Sequence, residues 1–178
     1  NITISVNGRQ NTGVTDENVE EVYTPFHHQD YQTIVSQIKE FAAEGNACVL
    51  STINGDSNVP FYKEFANQGL TSDDCPIMAF SVAEDELRAM DVPPLVGHLA
   101  CWNYYQSIDT PANNNFVKAF KAFCEKTGLP GGSDRVTDDP IEAAYFGVYV
   151  WKAAVEKAGS FEVDKVRETV YGLEFDAP

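Results

Sequence analysis

The stretch Ala47–Glu86, ACVLSTINGDSNVPFYKEFANQGLTSDDCPIMAFSVAEDE, predicts the fold because one arrangement occurs in it twice. An apolar, partly β-branched run, Ala47–Ile53, ends in the small polar residues Asn54–Asn58, and a helical pattern follows. Ile77–Phe80 repeats the apolar run and leads through small residues into an acidic helix start. Each unit is therefore predicted to be a buried strand, a polar loop and a helix.

These two loops are the candidate binding site. Ligands of open α/β sheets lie beyond the carboxyl ends of the strands, where helix N-termini present free N–H groups. Because successive parallel strands share that edge, we predict that the two loops lie side by side. The alternative is a pair of ordinary loops rich in turn and capping residues, with Asp56 as a helix N-cap. The predicted ligand-binding residues are Asn54, Gly55, Asp56, Ser57, Ser81, Val82, Ala83 and Glu84.

Strands and helices alternate along the rest of the chain. Such alternation predicts βαβ units and a Rossmann-like, three-layer α/β fold with a mainly parallel sheet, formed by residues 1–178 as a single lobe. The further strands are expected at Asn1–Val14 (with a turn at Asn7-Gly8), Glu20–Thr24 and Leu95–Tyr105. The further helices are expected from an Asp30 cap to Gly45, over Asn113–Thr127, from an Asp139 cap to Gly159, and over Asp164–Tyr171.

Composition excludes several classes of partner. The chain has 178 residues, 12 basic and 27 acidic, and a formal net charge of −15. A dispersed acidic surface repels nucleic acid and anionic lipid, so neither is an expected partner. The four cysteines form no CxxC pair, which argues against a zinc site. Cys48 and Cys101 lie in apolar runs and are expected to be core thiols.

Motifs for catalysis are absent from the sequence. It contains no GxSxG nucleophile turn, no Walker loop and no GxGxxG. Adjacent His27 and His28 would point to opposite sides of an extended segment, so no metal or cofactor is expected. His98 is interpreted as a satisfied interior histidine, and Glu84–Glu86 as acids that favour a helix start. The chain is accordingly predicted not to be an enzyme.

Five blocks of sequence resemble a known family. They are DYQTIV from Asp30, NGDSNV from Asn54 with Phe61, FSVAE from Phe80, CWNY from Cys101, and DPIEAAY from Asp139. In this order they resemble the urea- and short-chain-amide-binding proteins of ABC transporters. These are type I periplasmic binding proteins of the branched-chain amino acid class. The resemblance covers about Val19–Pro178 and corresponds to the second lobe of a two-lobed protein that closes on its ligand.

The resemblance implies a bacterial periplasmic receptor that binds a small neutral polar solute and passes it to a membrane permease. It places ligand contacts in the two loops already chosen, with Asp56 and Glu84 as acceptors for urea N–H groups. The chain is expected to be a fragment or a truncated relative that folds but binds weakly or not at all on its own, and a homodimer of the fragment is a further expectation. The alternatives are a receptor for branched-chain amino acids or another small solute, a sensory domain, and a small-amide hydrolase.

Overall fold

The computed structural model describes residues 2–5 and 18–178 and divides the chain into two compact units. The first unit extends to Asn103, and the second covers Tyr104–Pro178. The turn predicted at Asn7-Gly8 lies outside the described residues. No helix in the part of the chain that the structure describes is long and apolar enough to cross a membrane.

A five-stranded sheet organises the first unit, with strand order β2-β1-β3-β4-β5. The interior strand β1 pairs antiparallel with both β2 and β3, whereas β3, β4 and β5 run parallel. The α/β class is thereby confirmed. The strands are β1 (Ile2–Ser5), β2 (Val19–Val22), β3 (Cys48–Ser51), β4 (Ile77–Ala79) and β5 (Leu99–Ala100).

Three helices connect the strands of this unit. They are α1 (Gln32–Ala42), α2 (Asn58–Asn67) and α3 (Glu84–Leu87). The cap predicted at Asp30 is displaced by one residue: the N-cap position is Tyr31, and Asp30 Oδ1 accepts from the backbone N–H of Gln32 at 3.2 Å. Pro60 lies in the first turn of α2, where its missing N–H removes no helical hydrogen bond.

One face of the sheet and two helices form the core of the first unit. Alternation along β3 and β4 directs Val49, Ile77 and Ala79 to the same side, because successive strand residues point to opposite faces. The helical stripes predicted on α1 and α2 meet them there. The helical contribution is Tyr31, Val35, Ile38, Phe61, Tyr62 and Phe65, all buried.

The strand predicted over Leu95–Tyr105 is much shorter in the structure. Only Leu99–Ala100 pairs with β4, and Cys101 adds one further bond from its N–H to the carbonyl of Ala79 at 2.8 Å. The strand is limited because β4 itself has three residues and Gly97 turns the chain with a φ of 96°. Cys101 is therefore exposed and Cys48 half-buried, so the expectation that both are core thiols was wrong; Cys75 and Cys124 are the buried cysteines.

The second unit is built from three helices with clear capping. Helix α4 (Pro111–Thr127) begins after Thr110, whose Oγ1 accepts from the N–H of Asn113 at 3.1 Å, and ends at the left-handed Gly128. Helix α5 (Asp139–Ala158) is capped by Asp138 Oδ1, which accepts from the N–H of Ile141 at 3.0 Å. Helix α6 covers Val163–Val170. The predicted Asp139 cap was wrong by one residue, because the helix already begins at Asp139.

The apolar stripe predicted on α5 is largely exposed. Tyr145, Val148 and Trp151 expose 43%, 63% and 51% of their surface. Helix α5 instead buries Ala154, whose carbonyl accepts from Thr169 Oγ1 of α6 at 3.1 Å. A helical period identifies an apolar face, but it does not identify what covers that face.

Candidate functional site

The two candidate loops lie at one edge of the sheet, as predicted. β3 and β4 are parallel, and the loops Asn54–Asn58 and Ser81–Glu84 follow their carboxyl ends. The buried side chain of Asn58 joins the loops: its Nδ2 donates to the carbonyls of Ile53 (3.0 Å), Gly55 (3.1 Å) and Ser81 (3.4 Å). One amide therefore holds both loops in a fixed relative position.

A hollow of about 260 Å³ opens beside the first of these loops. We call it the strand-end hollow. One wall is the segment that ends β3 and enters α2, and the other is the segment that follows β2. Its lining residues are Thr24, Pro25, Phe26, Thr52, Ile53, Asn54 and Ser57. Of the eight predicted ligand-binding residues, Asn54 and Ser57 are thus in the lining.

Several buried polar atoms around the strand-end hollow lack hydrogen-bond partners among the described residues. They are Ser57 Oγ, Asn58 Oδ1 and Tyr31 Oη. Ser57 exposes 3% of its surface, so water does not supply the missing bonds freely. Burial raises the pKa of the Tyr31 phenol, and the nearby hydroxyls of Thr24 and Ser57 act in the opposite direction. A buried polar atom without a partner is costly, and such atoms in a concave site indicate a place for a ligand.

The second loop has a different character. Val82 and Ala83 are buried, and the Ala83 N–H donates to Glu86 Oε2 at 2.9 Å, which closes the start of α3. The interpretation of the Glu84–Glu86 acids as a helix start is therefore confirmed. Ser81 contributes its carbonyl to Asn58, and Glu84 is half-buried at the first position of α3. None of these residues lines the strand-end hollow.

Asp56 does not act as the helix N-cap that sequence reasoning offered as its alternative role. It lies in the 3-10 turn Gly55–Ser57, and Ser57 occupies the N-cap position of α2 without a side-chain capping bond. The Asp56 carboxylate is 79% exposed, and its Oδ2 lies 3.9 Å from Nδ1 of His27. This carboxylate therefore faces solvent, and Asp56 is not among the residues that line the strand-end hollow.

The histidines have partners other than a metal. His28 Nε2 lies 2.7 Å from the carbonyl oxygen of Asp30. His98 Nδ1 accepts from the N–H of Ile77 at 3.1 Å, so this histidine is satisfied as predicted, but it is half-buried rather than interior and precedes β5; partial burial lowers its pKa. Within residues 18–178 no three His, Cys, Asp or Glu side chains come together as a metal site would require.

A larger, apolar hollow of about 730 Å³ lies in the second unit, bordered by α4 and α5. Phe116, Tyr145 and Phe175 are among its aromatic walls, and Asn115 and Asp176 provide polar groups. Five further aromatic residues are candidates either for a ligand wall or for the core: Tyr62, Phe80, Trp102, Tyr104 and Tyr105. Tyr62 and Tyr104 are buried, and none of the five lines either hollow.

The wall at Thr24–Phe26 and the bridging amide of Asn58 were not among the predicted site residues. Pro25 and Phe26 carried one available signal, since an apolar aromatic directly after a short strand is unusual in a polar turn. Asn58 carried another, because asparagine at a helix start is typical of capping. Neither signal shows which loop the residue contacts, because that contact depends on the order of the strands in the sheet.

Comparison with known proteins assigns the class to which this fold and site belong. The family model described as periplasmic binding protein domain matches residues 3–178, so the chain belongs to that family. It is a family of periplasmic, solute-binding proteins.

The curated relatives that match are named Leu/Ile/Val-binding protein homolog 6. The protein of Brucella melitensis biotype 1 is 28% identical over 173 residues, which is 94% of this chain and 41% of that protein. Those of Brucella abortus (strain 2308) and Brucella suis biovar 1 are likewise 28% identical, over 173 and 174 residues, with the same shares covered. The chain thus spans 41% of the length of these relatives.

Proposed function

We propose that this chain is one lobe of a periplasmic receptor that binds a small polar solute and delivers it to the permease of an ABC transporter. Family membership supports the class of protein. The observation that carries the proposal of a site is the buried Ser57 hydroxyl, which lies in the lining of the strand-end hollow beside the Tyr31 phenol and makes no hydrogen bond of good geometry to the described residues. A solute supplies the missing hydrogen bond.

The first loop provides the direct contacts in this proposal. Ser57 and Asn54 line the hollow and offer a hydroxyl and an amide, each of which both donates and accepts. Gly55 contributes backbone with a φ of 61°, a conformation that favours glycine. The exposed carboxylate of Asp56 accepts from N–H groups of a solute at the rim.

The second loop has a supporting part. Ser81 fixes the first loop through its carbonyl, which Asn58 Nδ2 reaches at 3.4 Å. The side chains of Val82 and Ala83 are buried, so their contribution is limited to backbone groups. Glu84 is the one carboxylate of this loop proposed to reach a solute from the neighbouring strand end.

Two ligand classes compete for this site. Urea or a short-chain amide fits a neutral polar lining of hydroxyl and amide groups. A branched-chain amino acid is favoured by the relatives, which are named as Leu/Ile/Val-binding protein homologues. Asp56 or Glu84 offers a carboxylate for the ammonium group of such a ligand. A hydrolase of small amides is the remaining alternative, and it requires a nucleophile or base paired with a second group.

The experiment is saturation-transfer NMR on the 178-residue chain with urea, acetamide and leucine, each alone and then in competition. We expect binding in the millimolar range, because the best small ligands gain about 1.5 kcal/mol per heavy atom only when fully enclosed. Release of ammonia from urea or acetamide above that of a protein-free blank would overturn the receptor proposal. Competition of leucine against urea shows which of the two ligand classes binds more tightly. Failure of all three solutes to bind would contradict the proposed site.

A further inference from the structure

A continuous row of aromatic rings lies on the surface of the second unit, along the apolar hollow bordered by α4 and α5. The ring centroid of Phe116 lies 6.4 Å from that of Phe120 and 4.8 Å from that of Tyr145. The ring centroid of Tyr149 lies 5.0 Å from that of Tyr145 and 6.0 Å from that of Phe175. We call this surface the aromatic face and define it by Phe116, Phe120, Phe123, Tyr145, Val148, Tyr149 and Phe175.

The apolar surface extends beyond the hollow that these rings line. Val148 and Trp151 of α5 are more than half exposed, and neither of them lines the hollow. Val148 lies one helical turn from both Tyr145 and Trp151, so the apolar surface is continuous along the helix. A small molecule bound in the hollow would leave Val148 and Trp151 in water. An apolar patch wider than its hollow is typical of a surface that binds another protein.

The exposed aromatic area is of the size that a weak dimer needs. Four side chains of the aromatic face are between 40% and 57% exposed, namely Phe123, Tyr145, Tyr149 and Phe175. An aromatic side chain buries about 150–250 Å² when it is fully covered, so these four present roughly 300–450 Å² in each copy. Contact between two such faces removes about twice that area from water. The neighbouring stripe of α5 raises the total toward the roughly 1,000 Å² expected of a specific interface.

The distribution of charge favours a second copy of the chain as the occupant of this face. The second unit carries 8 basic and 12 acidic residues, whereas the first unit carries 4 basic and 15 acidic residues. The first unit therefore repels its own copy, whereas the near balance of charge in the second unit permits self-association. Beside the face, Lys152 Nζ lies 3.6 Å from Glu156 Oε1, one helical turn after Tyr149. Because this rim carries both signs, a two-fold contact does not bring only like charges together.

We propose that the aromatic face is the interface of a two-fold symmetric dimer of this chain. The exposed ridge of α5 in one copy enters the apolar hollow of the other copy, and the symmetry repeats this contact. Rings of the two copies then pack in offset or edge-to-face pairs. The inference does not rest on the proposed function, because the aromatic face belongs to the second unit and the strand-end hollow to the first.

The test is sedimentation equilibrium of the 178-residue chain at concentrations from about 1 μM to about 1 mM. A reducing agent is present, so that the exposed thiol of Cys101 does not cross-link two copies. We expect the weight-average mass to rise from 19.6 kDa toward twice that value. The expected dissociation constant is about 10–100 μM, because interfaces of this size are weak.

Charge substitutions locate the contact. Val148→Glu places one acid from each copy in the apolar interface, and Phe123→Glu does the same from α4. Each should weaken association at least about tenfold. Val163→Glu is the matched control, because Val163 is 78% exposed at the first position of α6 and receives the same charge outside the face. Its dissociation constant should stay within about twofold of the wild type.

The outcomes decide between the dimer and other occupants of the face. A mass that stays at 19.6 kDa up to about 1 mM would contradict the dimer. An equal loss of association in Val163→Glu, or no loss in Val148→Glu and Phe123→Glu, would overturn the assignment of the face. Binding of the apolar dye anilinonaphthalene sulfonate to each chain without any rise in mass would make the face a small-molecule site instead. Far-ultraviolet circular dichroism of each variant distinguishes loss of the dimer from unfolding.

Discussion

The loops that follow β3 and β4 occupy equivalent places in the sheet, yet they differ in how their backbone is capped and in whether their residues line the strand-end hollow. The second loop is closed on itself, with the Ala83 N–H bonded to Glu86 Oε2 at 2.9 Å and Val82 buried in the core. The first loop leaves Ser57 Oγ and Asn58 Oδ1 buried without partners among the described residues. Residues of the first loop line the strand-end hollow, whereas none of Ser81–Glu84 does.

This difference shows that position at the carboxyl edge of a parallel sheet does not by itself make a binding site. Both loops satisfy the topological rule for α/β sheets. The first loop lines the strand-end hollow and contains two buried polar atoms, Ser57 Oγ and Asn58 Oδ1, that make no hydrogen bond to the described residues. We therefore expect the two loops to respond differently to substitution.

The largest effect is expected at the amide that joins the loops. Asn58→Ala removes the donor to the carbonyls of Ile53, Gly55 and Ser81 and leaves them unsatisfied. Losing several buried bonds at once should lower the free energy of unfolding by about 2–4 kcal/mol. Guanidinium unfolding, followed by fluorescence, measures the change without adding urea, a candidate ligand.

Asn114→Ala is the matched control for this prediction. The Asn114 side chain is exposed and donates to Asp109 Oδ1 at 3.1 Å, so its loss should change the free energy of unfolding by less than about 0.5 kcal/mol. Equal changes in the free energy of unfolding for the two substitutions would show that the Asn58 bridge between the loops does not stabilise the fold more than an exposed hydrogen bond does.

The next effect separates binding from stability. Ser57→Ala removes a buried hydroxyl that lacks a partner among the described residues, so the free energy of unfolding should stay within about 0.5 kcal/mol of the wild type or rise slightly. Affinity for the bound solute should fall about three- to tenfold, the value of one hydrogen bond. Ser81→Ala, in the second loop, should leave affinity unchanged. A larger loss of affinity in Ser81→Ala than in Ser57→Ala would place the direct contact in the second loop instead of the first.

A smaller effect is expected from the capping bond of the second loop. Glu86→Ala frees the Ala83 N–H and should lower the free energy of unfolding by about 0.5–1 kcal/mol, as loss of a capping interaction does. Solute affinity should not change, because Glu86 lies outside the lining. A drop in affinity with unchanged stability would indicate direct contact between Glu86 and the solute.

The smallest effect is a pH dependence at the opposite end of β4. Burial holds the pKa of His98 below its ordinary value of 6.5, and its unprotonated Nδ1 accepts from the Ile77 N–H. The stabilisation is therefore present above pH 6.5 and is lost as the pH falls through the lower folded-state value. His98→Gln should lessen the fall in guanidinium midpoint from neutral to mildly acidic pH, while His27→Gln, at an exposed site, should not.

Sequence patterns predicted the helices and the sheet edge well. The 3.6-residue period placed Val35, Ile38, Phe61 and Phe65 in the core, and the strand–loop–helix order placed both candidate loops at one edge. These features depend on local periodicity and on the rule that parallel strands share an edge. The residues that determine each of these features lie close together along the chain.

The remaining features depend on contacts that are distant along the chain. The apolar run Leu95–Tyr105 predicted a long strand, but β5 ends where its three-residue neighbour β4 ends. Tyr104 instead enters the second unit, where its hydroxyl contacts Asn113 Oδ1 at 2.6 Å and Thr137 Oγ1 at 2.8 Å. Phe26 and Thr52 likewise line the same hollow although they are 26 residues apart in the sequence. A local sequence pattern cannot predict a contact over such a separation.

The most direct test of the account is to map where a solute binds by amide chemical shifts. Uniformly ¹⁵N-labelled protein is titrated with butyramide and, separately, with leucine, and shifts are followed for every assigned backbone N–H. The account predicts saturable shifts concentrated at Thr24–Phe26 and Thr52–Ser57, with smaller ones at Ser81–Glu84. Saturable shifts confined to the second unit, around the apolar hollow bordered by α4 and α5, would contradict the placement of the binding site at the end of β3.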